Sequence, residues 1–534
     1  MMNQAVNRKY LIGLLFLFSF ALYARTLSFG FVWDDERIHI TNNQALMNGD
    51  IKSFWAKPYS GMYIPMTYTA WTFVKTIAVE KQVSPKAFHL LNILTNTVNV
   101  ILVFMLLLIL FKNQTQAFWG SLLFMLHPMQ VESVAWISEF RGLYSVFFSL
   151  LSMIYVFKYL EKNIVFTIRN FITSKYFITA SVFFVSALLS KPSAVVLPFV
   201  ISVLTWCFYK ENFKIVLKGL VLWLLFVIPI LLVTRNSQPD ESIYISIPFW
   251  ERFFIAGNSL LFYLYKLLIP YPLAACYGNT PMLAVKDHFI YLSTFICVCL
   301  MIFSFIKRKS NPILFSSLFI IVIIVLPVSG LIPFEYQKHA GTADRYIYLG
   351  TLGAALLVPL IAAAIKKYSF LKYIFLSVFA IYLVLNIKQT NTWKNEFTVW
   401  DNTLQHYQNS AKVFYNHGVE YSKKGKFNEA VNDYSQSLSL EHNYKDALFN
   451  RANAYENLHD MNAAFNDYNT YLSIDSTDGS VYFKRAYLNY KTGNVSAAIA
   501  DAEKAEELRF PVGAKFKRVL QEAGKMQNAL PAIK

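Results

Sequence analysis

The sequence predicts an all-α protein, with a polytopic membrane domain followed by an α-solenoid. Of its 534 residues, 55% are hydrophobic and 15% are charged, a composition too apolar for a soluble chain of this length. Apolar segments long enough to cross a bilayer as helices recur from Tyr10 to about Lys388 and then stop. Beyond that point, apolar residues recur every 34 residues, a period typical of stacked helical hairpins.

Charge is divided between the same two parts. The chain carries 49 Lys and Arg against 32 Asp and Glu, a net charge of +17, and the two signs balance from residue 391 onward. The excess therefore lies in the membrane part, where it reflects topology and anionic lipid. No basic stripe with base-stacking aromatics indicates a nucleic-acid partner. The four cysteines lack metal-ligand spacing, and they predict neither a zinc site nor a disulfide framework.

The predicted membrane domain covers residues 1–390. Its first apolar segment follows Arg8 and Lys9 and is interpreted as a retained anchor, because it is long and lacks a small-residue cleavage site. With these two cations in the cytoplasm, the long loop 30–86 lies outside, with a membrane-surface helix at 64–74. Residues 253–269 are interpreted as re-entrant or interfacial, so that the basic loops after them stay in the cytoplasm. A crossing missed elsewhere in the chain would have the same effect. About eleven crossings are predicted, at 10–29, 88–111, 117–134, 144–160, 176–190, 194–209, 215–233, 289–306, 312–331, 346–365 and 371–387.

The predicted second domain covers residues 391–534. Small residues recur at Gly418, Ala452 and Ala486, where they let the two helices of a hairpin approach closely. This pattern indicates tetratricopeptide repeats at about 411–444, 445–478 and 479–512, with a capping helix at 512–524. Tyr415, Phe449 and Phe483 form one line of the expected concave face. They are a candidate acceptor-peptide groove, although packing between adjacent helices is an equally good interpretation.

Three consecutive acids, Asp34, Asp35 and Glu36, follow the first apolar segment and lie in the external loop. A solvated loop is the simple interpretation, because adjacent carboxylates repel one another. The predicted topology brings further ionisable groups to the same face, and such groups beside membrane spans are candidate functional residues. They are His127, Glu132, Glu139, Arg141, Lys191, His339, Asp344 and Arg345.

Carboxylates beside several cations suit transfer from a phosphate-linked donor. Guanidinium groups hold the phosphate while a carboxylate removes a proton from an acceptor hydroxyl, and the membrane location points to a lipid-linked donor. Each residue also has a structural alternative. Lys191 can extend to the interface, His127 with Pro128 can end a helix, and Asp344 with Arg345 can form an ion pair.

Several motifs together resemble one family. The sequence WDD follows the first apolar segment, and YIPMTY begins at Tyr63. They are followed by HLLN from His89, LHPMQVESVAWISEFRGL from Leu126, LLSKP from Leu188 and ADRYIYL from Ala343. With the repeats, they are similar to the transmembrane and tetratricopeptide-repeat-containing O-mannosyltransferases and their bacterial relatives. More distantly, the chain resembles protein O-mannosyltransferases and other GT-C glycosyltransferases.

The resemblance implies a GT-C-type fold and an inverting transferase that uses a polyprenyl-phosphate sugar on the non-cytoplasmic face. It implies Asp34 as the general base, Asp35 as the group that orients it or contacts the acceptor, and Arg141 as the donor-phosphate ligand. Arg345 and Lys191 are further phosphate ligands, and Ile64 stands where the family usually has Arg. Supporting roles are expected for Glu36, His127, Glu132 and Asp344.

The same resemblance implies partners and a location. The partners are the lipid-linked donor, membrane lipid and an acceptor protein whose Ser or Thr hydroxyl receives mannose or a similar sugar. No cofactor is expected, and a divalent cation, which acids beside phosphate could hold, is not predicted. The short repeat array suits a bacterial inner-membrane protein with its active loop and repeats on the periplasmic side. The alternatives are an inactive membrane-anchored repeat scaffold and, less favoured, a transporter, which would concentrate ionisable groups at mid-membrane.

Overall fold

The computed structural model describes residues 2–77, 83–162, 167–237 and 247–529. All regular secondary structure in these ranges is helical, which confirms the predicted all-α fold class. The chain divides into two compact units, Met1–Asn402 and Thr403–Lys534, and the predicted domain boundary at 390/391 lies within the first. Residues 78–82 of the predicted external loop and 530–534 of the predicted second domain lie outside the described residues.

The first unit is a bundle of apolar helices interrupted by short turns. Its longer helices are α1 Met2–Tyr23, α4 Pro65–Ile77, α5 Pro85–Phe111, α6 Gln114–Leu126, α8 Phe140–Leu160, α10 Lys175–Ser190, α11 Leu197–Phe208, α12 Phe213–Val221, α13 Leu224–Ser237, α14 Phe249–Leu268, α16 Phe289–Ile306, α17 Pro312–Val325, α19 Val358–Lys367 and α20 Leu371–Thr392. Its shorter helices are α2 Gln44–Met47, α3 Ile51–Ala56, α7 Val131–Ala135, α9 Ile168–Ile172, α15 Pro281–Lys286 and α18 Thr351–Leu356. Helix α21, Glu396–His406, contains the boundary at residue 402.

Helix α5 lies at the centre of this bundle and packs against α1, α6 and α8, while α10 packs on α8. Polar side chains of α5 fix these neighbours. Asn92 donates to the carbonyl oxygens of Val134 and Trp136 at 3.2 and 3.0 Å. Asn99 donates to the carbonyl of Leu143 at 3.0 Å. Buried amides of this kind are stable when they are hydrogen-bonded, and these hold the segment before α8 in place.

Fewer helices can span a membrane than the sequence predicts. In the described part of the chain, five helices are long and apolar enough, or six if the bent pair α12 and α13 counts as one span. The five are Arg8–Ser28, Pro85–Phe111, Ile137–Leu160, Phe289–Lys309 and Leu371–Thr392. Three shorter apolar helices, Lys175–Ser190, Pro192–Phe208 and Pro312–Val328, accompany them. Helix α14, which covers the segment predicted to be re-entrant or interfacial, is absent from both groups.

Proline explains several of these differences. The predicted crossing 117–134 ends at Leu126, because Pro128 begins a separate short helix. The predicted crossing 346–365 is divided between α18 and α19, with Pro359 in the first turn of α19. Pro327 likewise ends α17 before residue 331. The predicted surface helix 64–74 is present as α4 and extends to Ile77.

The second unit contains three helical hairpins and a final helix. The hairpins are α22 Ala411–Lys423 with α23 Phe427–Leu440, α24 Lys445–Asn457 with α25 Met461–Ile474, and α26 Gly479–Lys491 with α27 Val495–Glu507, followed by α28 Ala514–Ala529. Ala452 and Ala486 are fully buried, and a Cβ at Gly418 would lie 2.8 Å from the Tyr434 ring. Small residues are therefore required where the two helices of each hairpin meet.

Two features repeat with the 34-residue period. Gly425, His459 and Gly493 occupy the hairpin turn with φ of 72°, 62° and 83°, so the middle repeat adopts the left-handed conformation without glycine. Ion pairs join the two helices of the second and third hairpins, Arg451 to Asp467 at 2.7 Å and Arg485 to Asp501 at 2.6 Å. In the first hairpin, His417 and Asp433 occupy the equivalent positions at 2.9 Å.

Candidate active site

The acidic segment begins with a strained residue. Trp33 has φ of 59°, a left-handed conformation that is costly for a bulky side chain. One turn of π-helix, Asp35–His39, follows directly, and Asp34 is its N-cap residue. Strain and π turns concentrate at functional sites. The backbone geometry therefore marks this segment independently of its charge.

Asp35 is fully buried and forms the attachment point of the turn. Its Oδ2 accepts from the backbone N–H of Val32 at 3.0 Å. Its Oδ1 accepts from the backbone N–H and the hydroxyl of Ser138 at 2.8 and 2.5 Å. Burial raises the pKa of the Asp35 carboxyl to about 7, and the three hydrogen bonds oppose this shift. Asp35 therefore holds the loop after α1 against the start of α8.

Asp34 is half-buried and Glu36 is exposed. Burial is the main reason that the pKa of Tyr68 is raised, and the charge of Asp34 adds to it while that of Arg141 opposes it. The Tyr68 hydroxyl therefore lies near the charges of both Asp34 and Arg141. It also forms a 3.0 Å hydrogen bond with Nδ1 of His39. Burial and the charge of Arg141 lower the pKa of His39 to about 3, so this imidazole is neutral.

Aromatic rings from distant parts of the chain hold Trp33. It stacks on Trp136 with ring centroids 4.8 Å apart and meets Trp400 edge to face at 5.1 Å. The Trp33 backbone N–H donates to Oε1 of Glu396 at 3.1 Å. Glu396 and Trp400 belong to α21, directly after the last apolar helix. We call these contacts of Trp33 with Trp136, Glu396 and Trp400 the tryptophan clamp.

A buried carboxylate gathers the three predicted phosphate ligands. Glu139 is fully buried and lies 2.9 Å from Nε of Arg141, 2.8 Å from Nζ of Lys191 and 3.8 Å from Nε of Arg345. Gly142 makes room for this arrangement, because a Cβ there would lie 2.8 Å from Glu139 Oε2 and 3.3 Å from Lys191 Nζ. The structure therefore brings Arg141, Lys191 and Arg345 together, each beside an anion.

Arg345 is the most enclosed of the three cations, with 4% of its side chain exposed. Its Nη1 and backbone N–H donate to the two oxygens of Glu132 at 2.5 and 3.0 Å. Its guanidinium carbon lies 4.2 Å from the Tyr336 ring centre and 4.8 Å from that of Tyr346. Arg141 and Lys191 are more accessible, at 12% and 19%. Exposure therefore favours Arg141 and Lys191 as ligand contacts, whereas Lys191 and Arg345 are the cations that line the adjoining cavity.

The remaining supporting residues serve structure around this cluster. His127 is buried and caps the short helix after it, with Nδ1 accepting from the backbone N–H of Met129 at 3.3 Å and Nε2 bonded to the carbonyl of Leu267 at 3.1 Å. Asp344 accepts from the Tyr277 hydroxyl at 2.7 Å. Burial and the charge of Glu132 raise the pKa of the Asp344 carboxyl. The ion pair of Arg345 is with Glu132, which the sequence alternative of an Asp344–Arg345 pair did not anticipate.

A small cavity opens beside the cluster. Lys191, Arg345 and Tyr346 line its charged side, together with Ser145 and Ser193. The other walls are apolar and consist of Val146, Val196, Leu197, Ile324, Val328 and Leu349. The space therefore suits a ligand with an anionic group attached to an apolar chain.

In the second unit, two of the three predicted groove residues share a cleft. Tyr415 and Phe449 line it. Phe483 packs on Phe510 and Phe516, with ring centroids 5.5 and 5.8 Å apart. Within the described ranges, no group of three or more His, Cys, Asp and Glu is arranged to hold a metal ion.

Comparisons with known proteins agree with the sequence motifs. Tetratricopeptide-repeat family models match residues 418–458 and 445–478. A protein O-mannosyl-transferase of Caenorhabditis elegans is 25% identical over 460 residues, which are 81% of this chain and 63% of that protein. The chain thus spans less than two thirds of that relative. The crystal structure of the APC/C hetero-tetramer Cut9-Hcn1 aligns with 90% of this chain and 94% of its own at 14% identity, but with a TM-score of 0.23 it does not indicate a shared overall fold.

Proposed function

We propose that this chain, which is similar to a protein O-mannosyl-transferase, is an inverting glycosyltransferase. Its donor is a polyprenyl-phosphate sugar, and its acceptor is a Ser or Thr hydroxyl of an exported protein. One observation carries the proposal. The charges of the half-buried Asp34 and of Arg141 both act on the Tyr68 hydroxyl, and Arg141 shares Glu139 with Lys191 and Arg345. This shared influence supports a base and a phosphate site on either side of one reacting sugar.

The chemistry is a single displacement. The Asp34 carboxylate takes the proton of the acceptor hydroxyl as its oxygen attacks the anomeric carbon. The bond from that carbon to the phosphate oxygen breaks, and the lipid phosphate leaves with the electron pair. Arg141 and Lys191 stabilise the negative charge that develops on the phosphate. Asp35 contacts no substrate in this scheme and positions the turn that carries Asp34.

The cavity supports a lipid-linked donor. Three cations, Arg141, Lys191 and Arg345, face two carboxylates, Glu132 and Glu139, so the cluster keeps one positive charge in excess when all five are ionised. That excess favours an anion, and the apolar walls beside it suit the first isoprene units. We place the site on the non-cytoplasmic side of a bacterial inner membrane, in line with Arg8 and Lys9 before the first apolar helix.

Purified protein and a panel of radiolabelled polyprenyl-phosphate sugars test the proposal. We expect at least one sugar to pass to a Ser- or Thr-containing acceptor, with release of free lipid phosphate. The product should have the opposite anomeric configuration to the donor. Retention of configuration would exclude a single displacement, and turnover of none of the donors would contradict the proposed reaction.

Arg141→Ala is expected to raise the KM for the lipid-linked donor about tenfold or more, because one charge-assisted hydrogen bond to the phosphate is lost. A donor titration at saturating acceptor measures this change. Arg169→Ala is the control, because this arginine lies in α9, apart from the cluster, and is exposed. An unchanged donor KM and kcat in Arg141→Ala would remove this residue from the phosphate site.

The tryptophan clamp gives a second prediction. Glu396→Ala leaves the Trp33 backbone N–H without its 3.1 Å acceptor, and the strained turn that carries Asp34 loosens. We expect kcat to fall about ten- to hundredfold, the effect of a small misplacement of a catalytic group, with little change in donor KM. Glu396→Gln keeps an acceptor oxygen and should restore activity. Equal loss in both variants would mean that the charge of Glu396, and not its hydrogen bond, matters.

A further inference from the structure

The second unit contains a cleft of about 170 Å³ that is lined by residues of all three hairpins. Its aromatic walls are Tyr415 from α22, Phe449 from α24 and Tyr471 from α25. Aromatic faces attract cations, because the ring quadrupole is negative above the plane. A cleft with three such walls is more specific than a flat aromatic patch, since a ligand can contact several rings at once.

Hydrogen bonds fix these walls. Asn450 donates to the Tyr415 hydroxyl at 3.1 Å. The Tyr471 hydroxyl donates to Oδ2 of Asp478 at 2.8 Å. Oδ1 of Asp478 accepts from the backbone N–H and hydroxyl of Ser480 at 2.9 and 2.6 Å, which caps α26. The cleft is therefore preorganised, which reduces the entropy lost when a ligand binds.

The charge in the cleft is negative. Asp446 and Asp478 both line it. Burial is the main reason that the pKa of Tyr471 is raised, followed by its hydrogen bond to Asp478, and the charges of Asp475 and Asp446 add to it. Asp475 is neutralised by Lys445 at 2.6 Å. Asp446 and Asp478 remain as the carboxylates that face the space.

Two neighbouring lysines already make cation–π contacts with these rings. The Lys445 ammonium lies 5.9 Å from the centre of the Tyr471 ring, and the Lys412 ammonium lies 5.7 Å from that of Tyr415. Both approach from residues beside the cleft and neither lines it. Both rings therefore already make cation contacts from outside the cleft, and the cavity has room for a further cation between them.

We propose that this cleft binds the side chain of a lysine or arginine in an extended protein segment. Charge complementarity selects a cation over a neutral residue, and the aromatic walls hold its aliphatic stem as well as its charged end. In the context of the proposed function, that segment belongs to the acceptor protein. Binding does not depend on sugar transfer, so the two proposals can fail separately.

The test uses the full-length protein and fluorescent glycine–serine peptides with one central lysine, arginine, norleucine or glutamate. We expect binding of the lysine and arginine peptides, weakened by salt, and at least about tenfold weaker binding of the other two. Asp478→Asn should weaken the lysine peptide about tenfold, while the asparagine still caps α26. A wild-type protein that binds lysine no better than norleucine would overturn the proposal.

Asp460→Asn is the matched control. Asp460 caps α25 by accepting from the backbone N–H of Ala463 at 3.0 Å, the same structural role that Asp478 plays for α26, but it does not line the cleft. We expect this variant to bind the lysine peptide like the wild type. If both variants lost affinity equally, the effect would arise from helix capping and the cation site would be rejected.

Discussion

Asp34→Asn is expected to lower the rate of sugar transfer by about 10²- to 10⁴-fold, the range that a positioned general base contributes. Asparagine has nearly the same shape but cannot take the proton of the acceptor hydroxyl. Asp34 occupies the N-cap position of a π turn that Asp35 holds through three hydrogen bonds. The variant should therefore keep the wild-type melting temperature and the wild-type donor KM. Single-turnover transfer to a Ser-containing acceptor measures the effect.

Asp35→Asn is the informative comparison. One amide oxygen can still accept from Ser138, but the amide nitrogen would then face the backbone N–H of Val32, another donor. An unsatisfied buried donor costs about 1–3 kcal/mol, so this variant should lose both activity and thermal stability. Full activity of Asp34→Asn would refute its role as the base. If Asp34→Asn lost stability as much as Asp35→Asn, its activity loss would say nothing about proton transfer.

The Asp34→Asn variant also distinguishes the transferase from the alternative of an inactive scaffold. An inactive scaffold would depend on its repeats and would be indifferent to Asp34→Asn. A truncation at the predicted boundary 390/391 is a poor discriminator, because it also removes Glu396 and Trp400 from the tryptophan clamp. Loss of function after such a truncation would not distinguish the repeats from the clamp. The point variant at Asp34 leaves both intact.

The repeats could be predicted closely because their signal is local and periodic. Small residues at Gly418, Ala452 and Ala486 determine where helices meet, and each hairpin buries them in the same way. The interhelical ion pairs follow the same period and were visible in the sequence as Arg451 with Asp467 and Arg485 with Asp501.

The membrane part could be predicted less well. Hydropathy locates apolar segments but does not show where a proline divides them, as Pro128 and Pro359 do. The sequence grouped Arg141, Lys191 and Arg345 on one predicted membrane face, and in the structure their charged groups lie around a single carboxylate. Their common partner, Glu139, was recognised only as one of several acids. The Trp33 contacts with α21 join residues more than 360 positions apart, so no local pattern could indicate them.

Ser138 is one of the candidate-site residues that the sequence did not indicate. It lies in the WISEFRGL stretch, between Trp136 and Glu139, and it supplies two of the hydrogen bonds to Asp35. Only its position in this stretch could have indicated a role, because a serine beside acidic and aromatic residues is common in loops. Asn92 places Ser138 indirectly, because it hydrogen-bonds to the carbonyl oxygens of Val134 and Trp136 and so fixes the backbone just before the serine.

Glu139→Gln is expected to reduce the free energy of unfolding by about 3–5 kcal/mol, the usual cost of removing one partner from a buried ionic group. Glu139 is fully buried and lies within 4 Å of Arg141, Lys191 and Arg345. Glutamine keeps the volume but removes the charge that separates these mutually repelling cations. Thermal unfolding in detergent, followed by circular dichroism, measures the loss.

Glu161→Gln is the matched control for this prediction. Glu161 pairs with Lys112 near the end of α8, but the two side chains are 35% and 59% exposed, so their separation should cost only about 0–1 kcal/mol. An equal loss in the two variants would mean that the Glu139 cluster is solvated and its cations are already free to bind a ligand. If only Glu139→Gln lost much stability, Arg141 and Lys191 would be held by the Glu139 carboxylate. A donor phosphate would then bind these two cations together with that carboxylate. Donor phosphate at saturating concentration should then partly restore the stability of the variant, because it supplies the missing negative charge.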